Sequence, residues 1–108
     1  EGFVVESSLT SKGKAVNVIL RRGTLATNDY FVIGDSYARC RHILDHGKQL
    51  DSLSPGEYGE VFGFKGRLPA TGDSVLGVAS RQEGVAVTEH RKLKLAYQEL
   101  MGIEEEME

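Results

Sequence analysis

The sequence predicts a mainly β fold, a small closed β-barrel of short strands followed by one amphipathic α-helix at the C-terminal end. Two observations carry this. Over the first eighty residues, short runs of alternating apolar side chains are separated at even spacing by Gly, Asn and Asp. From about Arg81 the apolar positions recur at three and four residues instead, which is the period of a helix. At 108 residues the chain is long enough for one core and too short for a second domain of similar size. It divides into a barrel over 1–80, a helix over 81–102 leading to a further domain, and a frayed tail or cut-short linker over 103–108.

The strands follow in order. Gly2 to Ser7 is the first and Lys14 to Arg21 the second, with Val16, Val18 and Leu20 on one face and Ser11-Lys12-Gly13 as the turn between them. Tyr30 to Gly34 is the third, Ser36 to Ile43 the fourth, Glu57 to Phe64 the fifth and Ser74 to Ala79 the sixth. In the fourth, alternation places Tyr37, Arg39 and Arg41 on one face and Ala38, Cys40 and Leu44 on the other. The links Asn28-Asp29, Gly34-Asp35, Asp45-His46-Gly47, Ser54-Pro55-Gly56 and Thr71-Gly72-Asp73 are turn chemistry. In the helix, Val85 or Ala86, His90, Leu93, Ala96, Tyr97, Leu100 and Met101 form an apolar stripe, and Gly102 ends it as a left-handed cap. About 18 helical residues span roughly 27 Å, enough for a spacer. With no initiator Met and a strand beginning at residue 2, the chain is expected to be excised from a longer protein.

Composition excludes several functions. Forty per cent hydrophobic and 27 per cent charged residues are ordinary globular values, and no apolar run approaches the roughly 18 residues a membrane span needs. No membrane partner is expected, and the chain is expected to act as a monomer. The net charge is −3, yet residues 1–80 carry nine basic and nine acidic side chains, so the excess lies in the C-terminal part. A general polyanion binder would be basic; a neutral barrel allows only a local basic patch. One cysteine permits no internal disulfide and fits a reducing compartment.

Catalytic patterns fail one by one. A phosphate loop needs a glycine five positions before Gly13-Lys14, where Ser8 stands, and Ser or Thr where Ala15 stands. His42, His46 and His90 have no metal-site spacing with each other or with Cys40, and Cys40 alternates inward as a small core residue. Asp29, Asp35, Asp45 and Asp73 sit at turns, where they stabilise local backbone. Glu60, inside the fifth strand, pairs with an arginine or faces solvent. No catalytic residue, metal or cofactor is expected in this domain.

Basic residues carry the remaining signal. Lys12 and Lys14 flank a loop glycine, Arg39 and Arg41 share a face, and Lys65 and Arg67 flank Gly66. A solvated surface explains any one of them equally well; the functional alternative is that some converge on RNA phosphates. Tyr37 then stacks on an exposed base, or simply covers its strand neighbours.

Gly2-Phe3-Val4-Val5-Glu6-Ser7, Lys12-Gly13-Lys14, Val16 to Leu20, Arg22-Gly23-Thr24-Leu25, Phe31-Val32-Ile33-Gly34, Tyr37-Ala38-Arg39-Cys40-Arg41 and Leu68-Pro69-Ala70-Thr71-Gly72-Asp73 stand in a telling order. The ordered set resembles the second domain of bacterial-type translation initiation factor two, itself similar to the second domain of elongation factor Tu. The resemblance covers residues 1 to about 80, and the helix also matches. It implies a Greek-key β-barrel without activity of its own, contacting small-subunit ribosomal RNA. The resemblance further implies that another domain of the parent binds GTP and Mg²⁺ and that others recognise initiator tRNA. By motif it makes Lys12, Lys14, Arg39, Arg41 and Arg67 the contact candidates. Ala15 stands where the family usually has Gly, Asn28-Asp29 where it has Gly-Asp, and Ala38 and Cys40 where it has Gly and Val. Such drift implies a mitochondrial-matrix version, with the bacterial cytoplasm as the alternative. Two other readings stay open: the barrel of another translational GTPase touching aminoacyl-tRNA, and an unrelated small barrel for protein contacts.

Overall fold

A computed structural model describes residues 1–102; the tail expected over 103–108 lies outside the described residues. It opens with a long antiparallel hairpin of β1 (Gly2–Thr10) and β2 (Gly13–Leu20). Then come β3 (Leu25–Ala26), β4 (Tyr30–Ile33), β5 (Ser36–Arg39), β6 (His42–Asp45), β7 (Lys48–Leu50), β8 (Ser52–Leu53), β9 (Tyr58–Phe62) and β10 (Ser74–Val78). The helix α1 (Arg81–Met101) follows. Eight strands form one sheet in the order β5-β4-β10-β1-β2-β9-β6-β7, and β3 pairs separately with β8. The strands β3, β7 and β8 were not expected, because two or three residues are too few to display alternation. The His46-Gly47 turn that joins β6 to β7 has positive φ at both residues, 52° and 80°, as a two-residue hairpin turn requires.

The expected single strand from Ser36 to Ile43 is instead two strands, and this break organises the molecule. Residues 36–39 pair with β4 near one end of the strand order, whereas His42, Ile43 and Leu44 pair with β9 near the other. Only Cys40 and Arg41 separate them. Asn28 N–H donates to the Cys40 carbonyl (2.7 Å), Cys40 N–H donates to Asp29 (2.8 Å), and Arg41 N–H donates to Phe62 (2.9 Å). The sheet is therefore not closed by a hydrogen-bonded ladder, as the expected closed barrel would be; its two ends are brought together by the continuity of one chain segment. The break also resets parity. Ala38, Cys40 and Ile43 are buried, so Leu44, expected inside, is only half-buried.

Side chains from both sides of the curved sheet fill the core. Val16, Val18 and Leu20 point inward as the alternation requires, and Phe31 meets Phe64 with ring centroids 6.0 Å apart. Each such fully buried side chain contributes about 1.5–3 kcal/mol. The segment after β9 is strapped to β1: Ser7 Oγ donates to the Pro69 carbonyl (2.6 Å) and Thr71 Oγ1 to that of Val5 (2.9 Å), beside the register shift between Val4 and Glu6. Asp29 and Asp73 serve their turns as expected, accepting from the N–H groups of Ala26 and Ala70 at 2.9 Å.

Ser80 caps α1 by accepting from Glu83 N–H (3.2 Å), and the Glu83 carboxylate accepts from Ala79 N–H in return (3.3 Å). Gly102 ends the helix in the left-handed conformation, as expected. The helix lies across the outer face of β4, β5 and β10, where Val32 and Val78 are buried outside the main core cluster. It does not use its apolar stripe to do so. Gly84 and Thr88 are buried, and Arg91 donates to the Gly34 carbonyl. Leu93 and Tyr97 lie two and a half turns beyond Gly84 and Thr88, hence on the opposite side at 3.6 residues per turn. Leu93 is 69 % exposed and Leu100 83 %.

Two consequences are measurable. Gly63 follows β9 with φ +116°, and a Cβ there would lie 2.3 Å from the Arg39 carbonyl oxygen. Gly63→Ala is expected to destabilise the domain by about 2 kcal/mol or more, read from the urea midpoint. Gly77→Ala, with open space and no such φ, is expected to change it by less than about 1 kcal/mol. Burial, with a smaller contribution from the Asp29 charge, pushes the Cys40 thiol up from 9.0 to about 12. A raised thiol pKa stabilises the fold fully below the unfolded value and loses that contribution as pH climbs through the folded one. Unfolding free energy is thus expected to fall more steeply between about pH 9 and 12 in the native chain than in Cys40→Ala, compared by denaturation at each pH.

Candidate nucleic-acid interface

The Gly34-Asp35 turn fixes the register of β4 on β5, which sets Tyr30 opposite Arg39 and Val32 opposite Tyr37. Tyr37 and Arg39 are two residues apart and share the outer face of β5. Arg41 comes next, within the break. Lys65 arrives in the segment after Gly63, and Arg81 is the first residue of α1. Tyr30, Tyr37, Arg39, Arg41, Lys65 and Arg81, with Ala38 and Gly63, line a groove of about 450 Å³.

Charge and shape of the groove follow from its parts. Arg39, Arg41, Lys65 and Arg81 are exposed, and among the described residues none of them is in an ion pair. Among the described residues no carboxylate lines the groove. The Arg81 guanidinium carbon stands 5.9 Å from the centroid of the Tyr37 ring, within cation–π range. At the base of the side chain the helix backbone approaches closely, since a Cβ on Gly84 would stand 3.2 Å from Tyr37 Cβ. Glycine in a helix costs about 1 kcal/mol relative to alanine; here it lets α1 seat against β5 and hold Tyr37 in place.

Of the six residues singled out from sequence, Tyr37, Arg39 and Arg41 come together here and three lie elsewhere. Lys14 reaches the segment after β9, where its ammonium donates to the carbonyls of Gly66 and Lys65 (3.4 Å for the latter). It is a positioning residue that anchors the backbone carrying Lys65. Lys12 lines a separate cavity of about 260 Å³ with His42, Leu44 and Gln49. Arg67 lines a third, of about 340 Å³, together with Asp35 and Asp73, whose carboxylates oppose its use for phosphate. Sequence reasoning missed Tyr30 and Arg81 as members of the groove, and named Lys65 only as one of the basic residues flanking Gly66. The hairpin register would have found Tyr30, because the turn alone fixes its partner; Lys65 and Arg81 arrive through long-range packing and leave no local signal.

Glu60 lies half-buried in β9 opposite Asn17 and Leu44, away from any arginine across the ladder. The groove thus offers cations, two phenol rings and exposed ring surface, the chemistry that holds phosphates and bases.

No protein-family model matches the chain. It is 37% identical to translation initiation factor IF-2 of Aquifex aeolicus over 86% of its own length and 12% of that protein's. With the factor of the same name from Citrifermentans bemidjiense it shares 34% identity over 92% of the chain and 10% of the relative. With that of Mycoplasmoides gallisepticum it shares 32% over 99% and 18%. The chain therefore spans between about a tenth and a fifth of the length of these relatives. All three are bacterial, so the mitochondrial reading gains no support from them.

Proposed function

The chain belongs to the translation initiation factor IF-2 family, and from that premise we propose that it is a non-catalytic domain of a translation-initiation GTPase that meets small-subunit ribosomal RNA through the Arg39–Arg41 groove. In this reading GTP and its Mg²⁺ are held by another domain of the parent protein, and initiator tRNA by a further one. The bacterial cytoplasm is the setting that the relatives favour. Their shared name also favours this reading over a barrel that touches aminoacyl-tRNA in another translational GTPase.

One observation carries the proposal. Four exposed cations with no ion pairs among the described residues converge on one groove of a chain whose net charge is −3. Each cation that neutralises a phosphate releases condensed counterions, which favours binding without reading sequence. That suits a scaffold which must seat at one place on a folded RNA. The helix supplies reach: its 21 residues span roughly 30 Å. The domain thereby sets the distance between the GTPase domain and those that carry initiator tRNA.

In the intact factor, replacing Arg39 and Arg41 together with Gln is expected to weaken binding to small subunits. It is also expected to lower the log–log salt slope by roughly 1.5–2, while the urea midpoint stays put. Equal affinity and slope in the double variant would remove the groove from the function. Titration calorimetry of this chain with GTP and Mg²⁺ is expected to give no heat of binding; a tight complex would overturn the assignment of nucleotide chemistry to another domain.

A further inference from the structure

We propose that the groove takes one unpaired ribonucleotide, its base on the Tyr37 ring and its flanking phosphates on Arg39, Arg41 and Lys65. This rests on the RNA-contact reading above and names the form of RNA that the site accepts. The argument starts from what a double helix displays. A-form RNA presents phosphates, 2′-hydroxyls and a shallow minor groove, but no base face, because every base is stacked on its neighbours. A surface built only for duplex needs cations on a broad open face and has no use for exposed aromatic rings. Here the cations surround a concavity of about 450 Å³ that contains two half-buried tyrosines. Single small ligands are held in cavities of roughly 300–1,000 Å³.

Tyr37 is half-buried and lines the groove. Arg81 stands over it at 5.9 Å from the centroid, beyond the roughly 3.5–4.0 Å of a closed contact. A base between ring and guanidinium needs about 7 Å, two contact separations. A shift of about 1 Å at the end of the long Arg81 side chain provides it. Bases stack on guanidinium planes as well as on phenol rings, so Arg81 becomes the lid of a sandwich in which Tyr37 is the base plate. The plate is preorganised by the seat of α1 at Gly84, and the loop that brings Lys65 is anchored by the Lys14 ammonium. Little ordering is then left to be done on binding. The hydroxyls of Tyr30 and Tyr37 are the neutral donors and acceptors available to base edges or a ribose.

The test compares two short RNA duplexes of identical sequence, one blunt and one with a single bulged nucleotide, by fluorescence anisotropy with this chain at fixed salt. The bulged duplex is expected to bind roughly tenfold tighter. Tyr37→Leu is expected to erase that preference and Tyr37→Phe to keep it. Arg81→Gln, at an exposed first helical position, is expected to reduce it several-fold; it serves as the second variant if Tyr37→Leu fails to fold. Equal binding of the two duplexes overturns the proposal, as does a preference that survives both Tyr37→Leu and Arg81→Gln. If the equal binding is lost in the Arg39/Arg41 double variant, RNA contact stands without a nucleotide pocket. Binding to neither duplex also overturns it, and the small-subunit measurement on the intact factor then decides the RNA-contact reading separately.

Discussion

Two residues, Cys40 and Arg41, hold the two ends of this sheet together, and nearly everything else is arranged around that passage. Upstream of it the chain hydrogen-bonds to β4; downstream it hydrogen-bonds to β9. The backbone of Cys40 is satisfied by Asn28 and Asp29, that of Arg41 by Phe62. No side chain fits where Gly63 runs beneath, because the Arg39 carbonyl occupies the space. The buried thiol fills the inner side of the same passage and the exposed guanidinium of Arg41 marks its outer side. One backbone device thus sets both the curvature of the core and the position of a surface charge.

The groove is composite for the same reason. A hairpin register supplies Tyr30, Tyr37 and Arg39; the passage supplies Arg41; the segment after Gly63 supplies Lys65; the helix supplies Arg81. No two of the last three share an element. Such a site depends on the whole fold being formed, and its cations gain nothing from one another until it is. Their mutual repulsion is a modest cost at the surface, where solvent screens it.

Legibility in the sequence tracked the range of the interactions involved. Turn residues act within four positions, so the turns and the Gly102 cap were readable, whereas the Ser80 cap was not picked out. Alternation acts within one strand, so Val16, Val18 and Leu20 were placed correctly, but it carried straight through Cys40 and misassigned Leu44. The break is imposed by Asn28, Asp29 and Phe62, which are distant in sequence. The helix was recognised from its apolar stripe, yet the stripe faces away from the sheet and the docking face is Gly84, Thr88 and Arg91, a trio that no hydrophobic pattern would select. Among the basic residues, Lys14 and Arg67 look no different from Arg39 in a linear string. Only packing reveals that one anchors a loop and another sits beside carboxylates.

The pairing of β1 with β10 has a mechanical side. It is short: Gly2 opposite Val75 and Phe3 opposite Ser74, flanked by the bonds of Val4 with Gly72 and Asp73. These strands are antiparallel, and the chain enters at Gly2 and leaves past Val78 on the same side. Tension applied through the neighbouring chain would load this ladder one rung at a time rather than all rungs in shear. This short β1–β10 ladder is therefore the softest seam under such a load.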